Sequence, residues 1–177
     1  MAWHAIHVRT GNEDKVCEEI RKQLTRVGYA EEYQLLVPKR TLQEKRQGEW
    51  SEVVRIMFPG YVLVETDEIR KLAQETRRCE GVYRYLENEG EFQKVKLEEI
   101  AQIVYMTGDD GMIGTSEIAF EEKGSFEVIR GPLKGYEGCI KKLDRHKLRA
   151  TVEFDFGDRV HEVGLGISVV RTELHFW

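Results

Sequence analysis

The chain has 177 residues, with 27 Lys or Arg side chains against 32 Asp or Glu, so its formal net charge is −5. This length suits one or two small domains and excludes a single large α/β barrel. Hydrophobic residues account for 41% and charged residues for 33%, a composition typical of folded proteins. The sequence shows no apolar run long enough to cross a membrane, no signal-peptide pattern and no CxxC pair. We therefore expect a cytoplasmic protein that does not contact a membrane.

Helix and strand patterns alternate along the first 107 residues. Apolar residues at helical spacing predict helices, for example Val16, Ile20 and Leu24 between a capping Asn12 and Gly28. In chain order the patterns predict a strand at 3–8, a helix at 12–27, a strand at 33–37, an exposed hairpin at 39–57, a strand at 61–64, a helix beginning at 67, a strand at 82–86 and a helix around 97–104. This order indicates an α+β domain over residues 1–107, of the ferredoxin-like split βαβ type.

The pattern changes after residue 107. Residues 108–118 are rich in glycine and other loop formers and lack periodicity, which predicts a flexible linker. Beyond it, short β-prone segments at 126–129, 137–143, 148–154, 160–163 and 168–170 are separated by glycines and charged turns. So many short strands favour a small five-stranded β-barrel over residues 119–177.

One short stretch of the second domain is strongly basic. Residues 130–149 carry seven Lys or Arg side chains against Glu137 and Asp144, a local charge of +5 in an acidic chain. Such a cluster could bind nucleic acid at one place, although it could equally be the solvated face of a strand pair.

Three segments resemble two motifs of one protein family. The segment FPGYVLV at 58–64 resembles the motif that marks the N-terminal (NGN) domain of NusG-type transcription factors. The segments KGSFEV at 123–128 and GPLKGYEG at 131–138 resemble the KOW motif of their C-terminal barrel. The resemblance covers essentially the whole chain. It implies an RNA polymerase-binding NGN domain at 1–107 and a KOW domain at 119–177.

The resemblance also implies a docking patch for RNA polymerase. In the family, a depression lined by the opening aromatic residue and the Phe-Pro-x-Tyr segment receives the clamp helices of the polymerase's large subunit. The matched positions here are Trp3, Phe58, Pro59, Tyr61 and Leu63. Aromatic side chains suit this role as binding anchors, but Phe58 and Tyr61 could instead fill the core of their own domain.

A second polymerase contact is not expected in this chain. Some specialised relatives contact the opposite lobe of the polymerase through polar residues. This chain has Leu72, Ala73 and Gln74 in that region instead.

Within the family, residues 139–149 are similar to the basic stretch of the LoaP branch. Those proteins prevent termination in particular operons and hold a hairpin of the nascent RNA with the KOW barrel. The resemblance and the charge cluster together predict an RNA-binding set of Arg130, Lys134, Lys141, Lys142, Arg145, His146, Lys147 and Arg149. No exposed aromatic residue is interleaved with them, which argues against base stacking as the main binding mode. Contact with the non-template DNA strand is left open.

The sequence therefore predicts a monomeric, specialised NusG-type elongation factor and processive antiterminator. It shows no catalytic or metal-ligating motif, so we expect neither an enzyme nor a cofactor. One alternative is a housekeeping NusG whose barrel binds Rho or a ribosomal protein, which would not need the basic stretch. Another is a ribosome-associated KOW protein, which the acidic N-terminal half disfavours.

Overall fold

A computed structural model of the chain describes residues 1–157 and 159–170 and shows a mixed α+β fold. The chain forms two compact units that interleave along the sequence. The first unit contains Met1–Val37, Met57–Ala101 and Asp155–His161, and the second contains Pro38–Ile56, Gln102–Phe154 and the residues from Glu162 onward. Asp158 and residues 171–177 of the predicted second domain lie outside the described residues. The predicted division of the chain at 108–118 stays a prediction.

The first unit is built on a four-stranded antiparallel sheet. Its strands are β1 (Ala2–Val8), β2 (Tyr33–Leu36), β5 (Tyr61–Thr66) and β6 (Val82–Tyr85), in the order β2-β5-β1-β6. The helices α1 (Glu13–Arg26) and α2 (Ile69–Thr76) and the short pair β7 (Glu87–Asn88) and β8 (Glu91–Phe92) belong to the same unit. α1 buries Val16, Ile20 and Leu24, the apolar positions that the helical spacing predicted.

The second unit contains a long hairpin and a five-stranded sheet. The hairpin pairs β3 (Lys39–Arg46) with β4 (Glu49–Ile56) across a Gln47-Gly48 turn, in which both residues have positive φ, as a two-residue hairpin turn requires. The short β9 (Met112–Ile113) pairs in parallel with β3. The sheet has the order β11-β10-β14-β13-β12, formed by β10 (Ser116–Phe120), β11 (Phe126–Arg130), β12 (Ile140–Asp144), β13 (Arg149–Phe156) and β14 (Arg159–Val170).

The elements predicted for the first 107 residues are confirmed, including the last helix, α3 (Leu97–Thr107). The mixed α+β class is confirmed as well, whereas the ferredoxin-like type and the closed barrel stay predictions. Among residues 1–157 and 159–170, every helix is too short or too polar to cross a bilayer.

Three predictions in the second half of the chain differ from the structure. The strands expected at 160–163 and 168–170 form one continuous strand, β14. Its glycines do not end the strand but allow a close approach of other backbone, since a Cβ at Gly166 would lie 2.4 Å from the carbonyl oxygen of Thr41. The strand expected from 137 begins at Ile140, since Glu137–Cys139 form a 3-10 turn. Part of the expected linker forms β9 and the start of β10, whose pairing partners are distant in sequence.

Candidate functional site

The FPGY segment forms a tight turn before β5. The N–H of Tyr61 donates to the carbonyl oxygen of Phe58 at 3.1 Å, and Gly60 has a φ of +87°. Proline at the second position and a positive-φ glycine at the third are the requirements of a type II turn. A side chain at Gly60 would also lie 3.1 Å from the hydroxyl of Thr10. The turn thus explains why this segment contains Pro59 and Gly60, and it leaves Pro59 exposed.

A buried carboxylate holds this turn in place. Glu13, in the first turn of α1, is 1% exposed, and its Oε1 accepts hydrogen bonds from the N–H groups of Gly60 at 2.8 Å and Gly11 at 3.1 Å. The carbonyl oxygen of Gly60 in turn accepts a hydrogen bond from Val8 at 2.8 Å. Both backbone groups of Gly60 are therefore fixed, one by a helix and one by the central strand β1. The sequence analysis missed Glu13, because an acidic residue in the first turn of a helix is common without any partner.

The predicted docking residues share one face of the sheet. β1 and β5 pair with His7 opposite Tyr61, Ala5 opposite Leu63 and Trp3 opposite Glu65, so these side chains lie on the same side. Trp3 is half-buried, whereas Leu63 is fully buried. The structure therefore places Tyr61 and Leu63 near the turn that holds Phe58 and Pro59, whereas Trp3 lies on the same face toward the other end of the strand pair.

Two aromatic rings of the first unit cover Phe58 and Tyr61. Phe156 and His161 stack on each other at 4.1 Å between ring centroids. Phe156 meets Phe58 edge-on at 4.7 Å, and His161 meets Tyr61 edge-on at 5.0 Å. Phe58 is only 1% exposed and Tyr61 6%. Both rings are therefore buried and in contact with Phe156 and His161, as expected if they fill the core of their own unit.

The basic residues at 145–147 form the tip of the hairpin that joins β12 to β13. Asp144 pairs with Arg149, which leaves four residues in the loop, and Leu148 closes it with a φ of +54°. The Oδ1 atom of Asp144 accepts the N–H groups of Lys147 at 2.9 Å and His146 at 3.0 Å. These hydrogen bonds, that from Lys147 above all, lower the pKa of Asp144 below its ordinary value. A charged Asp144 therefore organises the tip, on which Arg145, His146 and Lys147 are exposed.

A β-bulge turns two lysines in the same direction. Ile140 pairs with Val152 while Lys142 pairs with Thr151, so β12 contains one extra residue at this point. A bulge of this kind interrupts the alternation of side chains between the two faces of a strand. Lys141 and Lys142 are consequently both exposed.

A groove of about 590 Å³ lies beside this bulge and the hairpin tip. Its polar lining comprises Lys141, Lys142 and Arg145, which we call the groove cations, together with His146 and Asp144, and its apolar lining includes Phe120, Phe126, Ile140 and Leu143. Phe120 and Phe126 lie opposite each other in the β10–β11 pair. The Cζ atom of Arg145 lies 3.6 Å from the centroid of the Phe120 ring. The sequence did not show these rings beside the basic residues, because they come from another strand pair, and the prediction about base stacking stays a prediction.

The other predicted RNA-binding residues do not line this groove. Arg130 forms an ion pair with Glu117 at 2.6 Å, and the Lys134 ammonium donates to the carbonyl oxygen of Val128 at 2.9 Å. Arg149 donates to the carbonyl oxygens of Lys147 and Leu148, and burial lowers the pKa of its guanidinium. Lys147 is exposed at the tip of the hairpin. Four of the eight predicted residues thus come together in one groove.

Comparison with known proteins identifies relatives along nearly the whole chain. A family model described as "Transcription termination factor nusG" matches residues 1–104. A Thermus thermophilus protein named "Transcription termination/antitermination protein NusG" is 24% identical over 180 residues, covering 95% of this chain and 96% of that protein. The Bacillus subtilis protein of the same name is 27% identical over 154 residues, covering 85% and 86%.

The fold also has a counterpart among solved structures. A structure of Thermotoga maritima NusG, which describes a domain interaction in that protein, matches with a TM-score of 0.62. It is 24% identical in sequence, and the match covers 93% of each chain. At this identity the likeness supports the fold.

Proposed function

The chain belongs to the NusG family of transcription termination and antitermination factors, and from this premise we propose that it is a specialised elongation factor and processive antiterminator. It docks on RNA polymerase through the N-terminal region and binds a hairpin of the nascent RNA through the basic hairpin tip. The factor acts in the cytoplasm as a monomer and catalyses no reaction.

The observation that supports the RNA-binding part is that three Lys and Arg side chains and His146 line one groove. Among the described residues, the groove cations form no ion pair and their side chains no hydrogen bond, whereas Arg130 and Lys134 are engaged by Glu117 and Val128. The charge is local, because the chain as a whole carries −5. Such a site favours a ligand with closely spaced phosphates at one place on the surface.

The polymerase-binding part rests on the patch of Trp3, Phe58, Pro59, Tyr61 and Leu63. The type II turn and Glu13 hold the exposed Pro59 in a fixed position, and a preorganised anchor loses little entropy on binding. Aromatic side chains, such as Trp3, Phe58 and Tyr61 in this patch, carry much of the affinity in protein interfaces. The proposed occupant of the patch is the clamp-helix pair of the polymerase's large subunit. Docking requires Phe156 and His161 to leave Phe58 and Tyr61, so the bound and free chains differ in this segment.

The RNA-binding part is tested by titrating the full chain with candidate hairpins of leader transcripts. A shuffled hairpin and a DNA duplex serve as comparison ligands, and each titration is repeated at several salt concentrations. Lys141→Ala and Lys142→Ala each remove one groove cation, and Lys15→Ala is the matched control, since it removes one exposed charge from α1.

We expect the chain to bind a leader hairpin more tightly than the shuffled hairpin or the DNA duplex. We also expect the salt slope to fall by about 0.7–0.9 for each groove lysine removed and to stay unchanged in the Lys15 variant. Equal, weak binding to all ligands, insensitive to both groove lysines, would overturn the proposal. Equally strong binding to the DNA duplex would instead make DNA the ligand.

A second candidate function is that of a housekeeping NusG whose C-terminal region binds Rho or a ribosomal protein. This function is supported because the chain matches nearly the whole length of relatives that carry the general name NusG. Titration of the full chain with purified Rho and with the ribosomal protein distinguishes the two functions. Binding of either protein, together with failure of the hairpin titration, would establish the housekeeping function.

A further inference from the structure

The guanidinium of Arg145 lies over the Phe120 ring, and Arg145 is an exposed residue. We propose that the outer face of the guanidinium receives a single unpaired nucleobase of the bound RNA, so that base, guanidinium and phenyl ring form a three-layer stack. The inference rests on the proposed RNA-binding function. It specifies that the groove binds an unpaired nucleotide of the RNA in addition to phosphates of a stem.

The distance between Arg145 and Phe120 supports a stacking platform. At 3.6 Å, the Cζ atom is in van der Waals contact with the ring. A guanidinium is planar and weakly hydrated, and it stacks on aromatic faces and on nucleobases. Phe120 is half-buried and anchored by the pairing of β10 with both β11 and β14. The ring therefore supports the guanidinium on one side before any ligand arrives.

The hydrogen-bonding groups of Arg145 remain available for a ligand. In the part of the chain that the structure describes, Arg145 forms no ion pair and its side chain no hydrogen bond. Asp144, the nearest acidic residue in sequence, uses its Oδ1 atom for the backbone of the hairpin tip. A guanidinium with unused N–H donors can stack on one base and also donate to an adjacent base edge or phosphate.

The groove beside the platform matches the two parts of a nucleotide. Its volume of about 590 Å³ falls within the range of sites that bind small organic molecules. Phe126, Ile140 and Leu143 supply an apolar wall for a base, and the bulge directs Lys141 and Lys142 to the surface, where phosphates would lie. An unpaired nucleotide provides both a free aromatic face and a negative charge.

A fully base-paired stem fits this groove less well than an unpaired nucleotide does. Bases within a stem are stacked on both faces, and the major groove of an RNA helix is too deep and narrow for side chains. Bases in loops and bulges can leave the stack and bind to aromatic rings or guanidinium planes. The platform therefore predicts that the recognised hairpin presents an unpaired base to Arg145.

The experiment is a two-way comparison of protein and RNA changes with the full chain. The RNA probe is the hairpin that binds most tightly in the titration above, compared with versions in which each unpaired nucleotide in turn is replaced by an abasic site. The test variants are Arg145→Lys, which keeps the charge but removes the plane, and Phe120→Leu, which removes the supporting ring. Lys147→Ala is the control, because Lys147 lies on the same tip outside the groove lining.

We expect one abasic site to weaken binding to the native chain by about 5-fold or more, the lower end of what stacking one base contributes. The same abasic site should have almost no effect on the Arg145→Lys chain, since the two changes remove one interaction. Lys147→Ala should retain the full abasic effect. Thermal melting checks that the Phe120→Leu chain is folded. If it is not, the Arg145→Lys change at an exposed position still tests the platform.

Two outcomes would overturn the inference in distinguishable ways. If the native chain binds the hairpin but no abasic site weakens binding, or if Arg145→Lys retains the abasic effect, the platform does not hold a base and the proposed function stands. If the native chain binds no hairpin at all, the proposed function fails and this inference fails with it.

Discussion

The carboxylate of Glu13 accepts a hydrogen bond from the backbone N–H of Gly60 at 2.8 Å and thereby ties the start of α1 to the turn that exposes Pro59. Forty-seven residues separate the two groups in the chain. The position of the proposed polymerase-binding turn thus depends on a buried acceptor in another element. A loop held in this way can act as a rigid anchor.

The first prediction concerns this hydrogen bond. Glu13→Ala should lower the free energy of unfolding by about 1–3 kcal/mol, because it leaves the N–H of Gly60 buried without an acceptor. Glu13→Gln keeps an acceptor oxygen and should cost less. Urea unfolding of both variants measures the difference, with Glu18→Ala as an exposed control on the same helix. Equal losses for the Ala and Gln variants would show that the hydrogen bond does not hold the turn.

The second prediction concerns the rings that cover the docking patch. Phe58→Ala should weaken polymerase binding by about 2 kcal/mol, as removal of an anchor residue does. Phe156→Leu should instead strengthen it, because the substitution loosens the ring that covers Phe58. Affinity of the full chain for purified RNA polymerase measures both effects.

A core substitution separates this effect from a general loss of stability. Phe154→Leu also removes a fully buried ring, from the same strand as Phe156 but in the second unit. It should destabilise the chain without raising polymerase affinity. If Phe156→Leu and Phe154→Leu act alike on polymerase binding, Phe156 does not control access to the patch.

The third prediction concerns Asp144 within the basic hairpin tip. Asp144→Asn keeps an oxygen that can accept the N–H groups of His146 and Lys147, but it removes a negative charge beside the groove. RNA affinity should therefore rise, most clearly at low salt. Asp144→Ala removes the charge and the acceptor together, so any gain should be smaller because the tip becomes less ordered. RNA titration would contradict this prediction if both variants bind more weakly than the native chain.

The fourth prediction concerns pH and His4 on strand β1. Burial lowers the pKa of His4 below its ordinary value, and the adjacent Lys94 acts in the same direction, against the hydrogen bond to the Gln93 carbonyl oxygen at 2.9 Å. The unfolded chain therefore binds a proton at His4 below about pH 6.5, where the folded chain resists it. The free energy of unfolding should fall as the pH drops below that value.

The variant His4→Gln separates this effect from all other titrating groups. Urea unfolding at pH values on either side of 6.5 should show a smaller loss of stability in the variant than in the native chain. The same pH dependence in both would mean that His4 is not held neutral by the fold.

Local patterns were sufficient to predict much of the fold. The helical spacing of Val16, Ile20 and Leu24 predicted α1, and the Gln47-Gly48 turn predicted the β3–β4 hairpin. In each case the determining residues are neighbours in the chain.

The rest depended on contacts between distant residues. The sequence could not show that Phe156 and His161 cover Phe58, or that Phe120 lies under Arg145. The bulge at 140–142 likewise follows from strand pairing, since alternation alone would place Lys141 and Lys142 on opposite faces.

The most direct measurement of the whole account is terminator read-through in transcription with purified RNA polymerase. The template carries a hairpin-forming leader ahead of a terminator, and a matched template carries the leader with its stem disrupted. We predict that the full chain raises read-through only on the first template, and that Phe58→Ala and the double change Lys141→Ala/Lys142→Ala each abolish the effect. Read-through that is unchanged by the protein, or raised equally on both templates, would contradict the account.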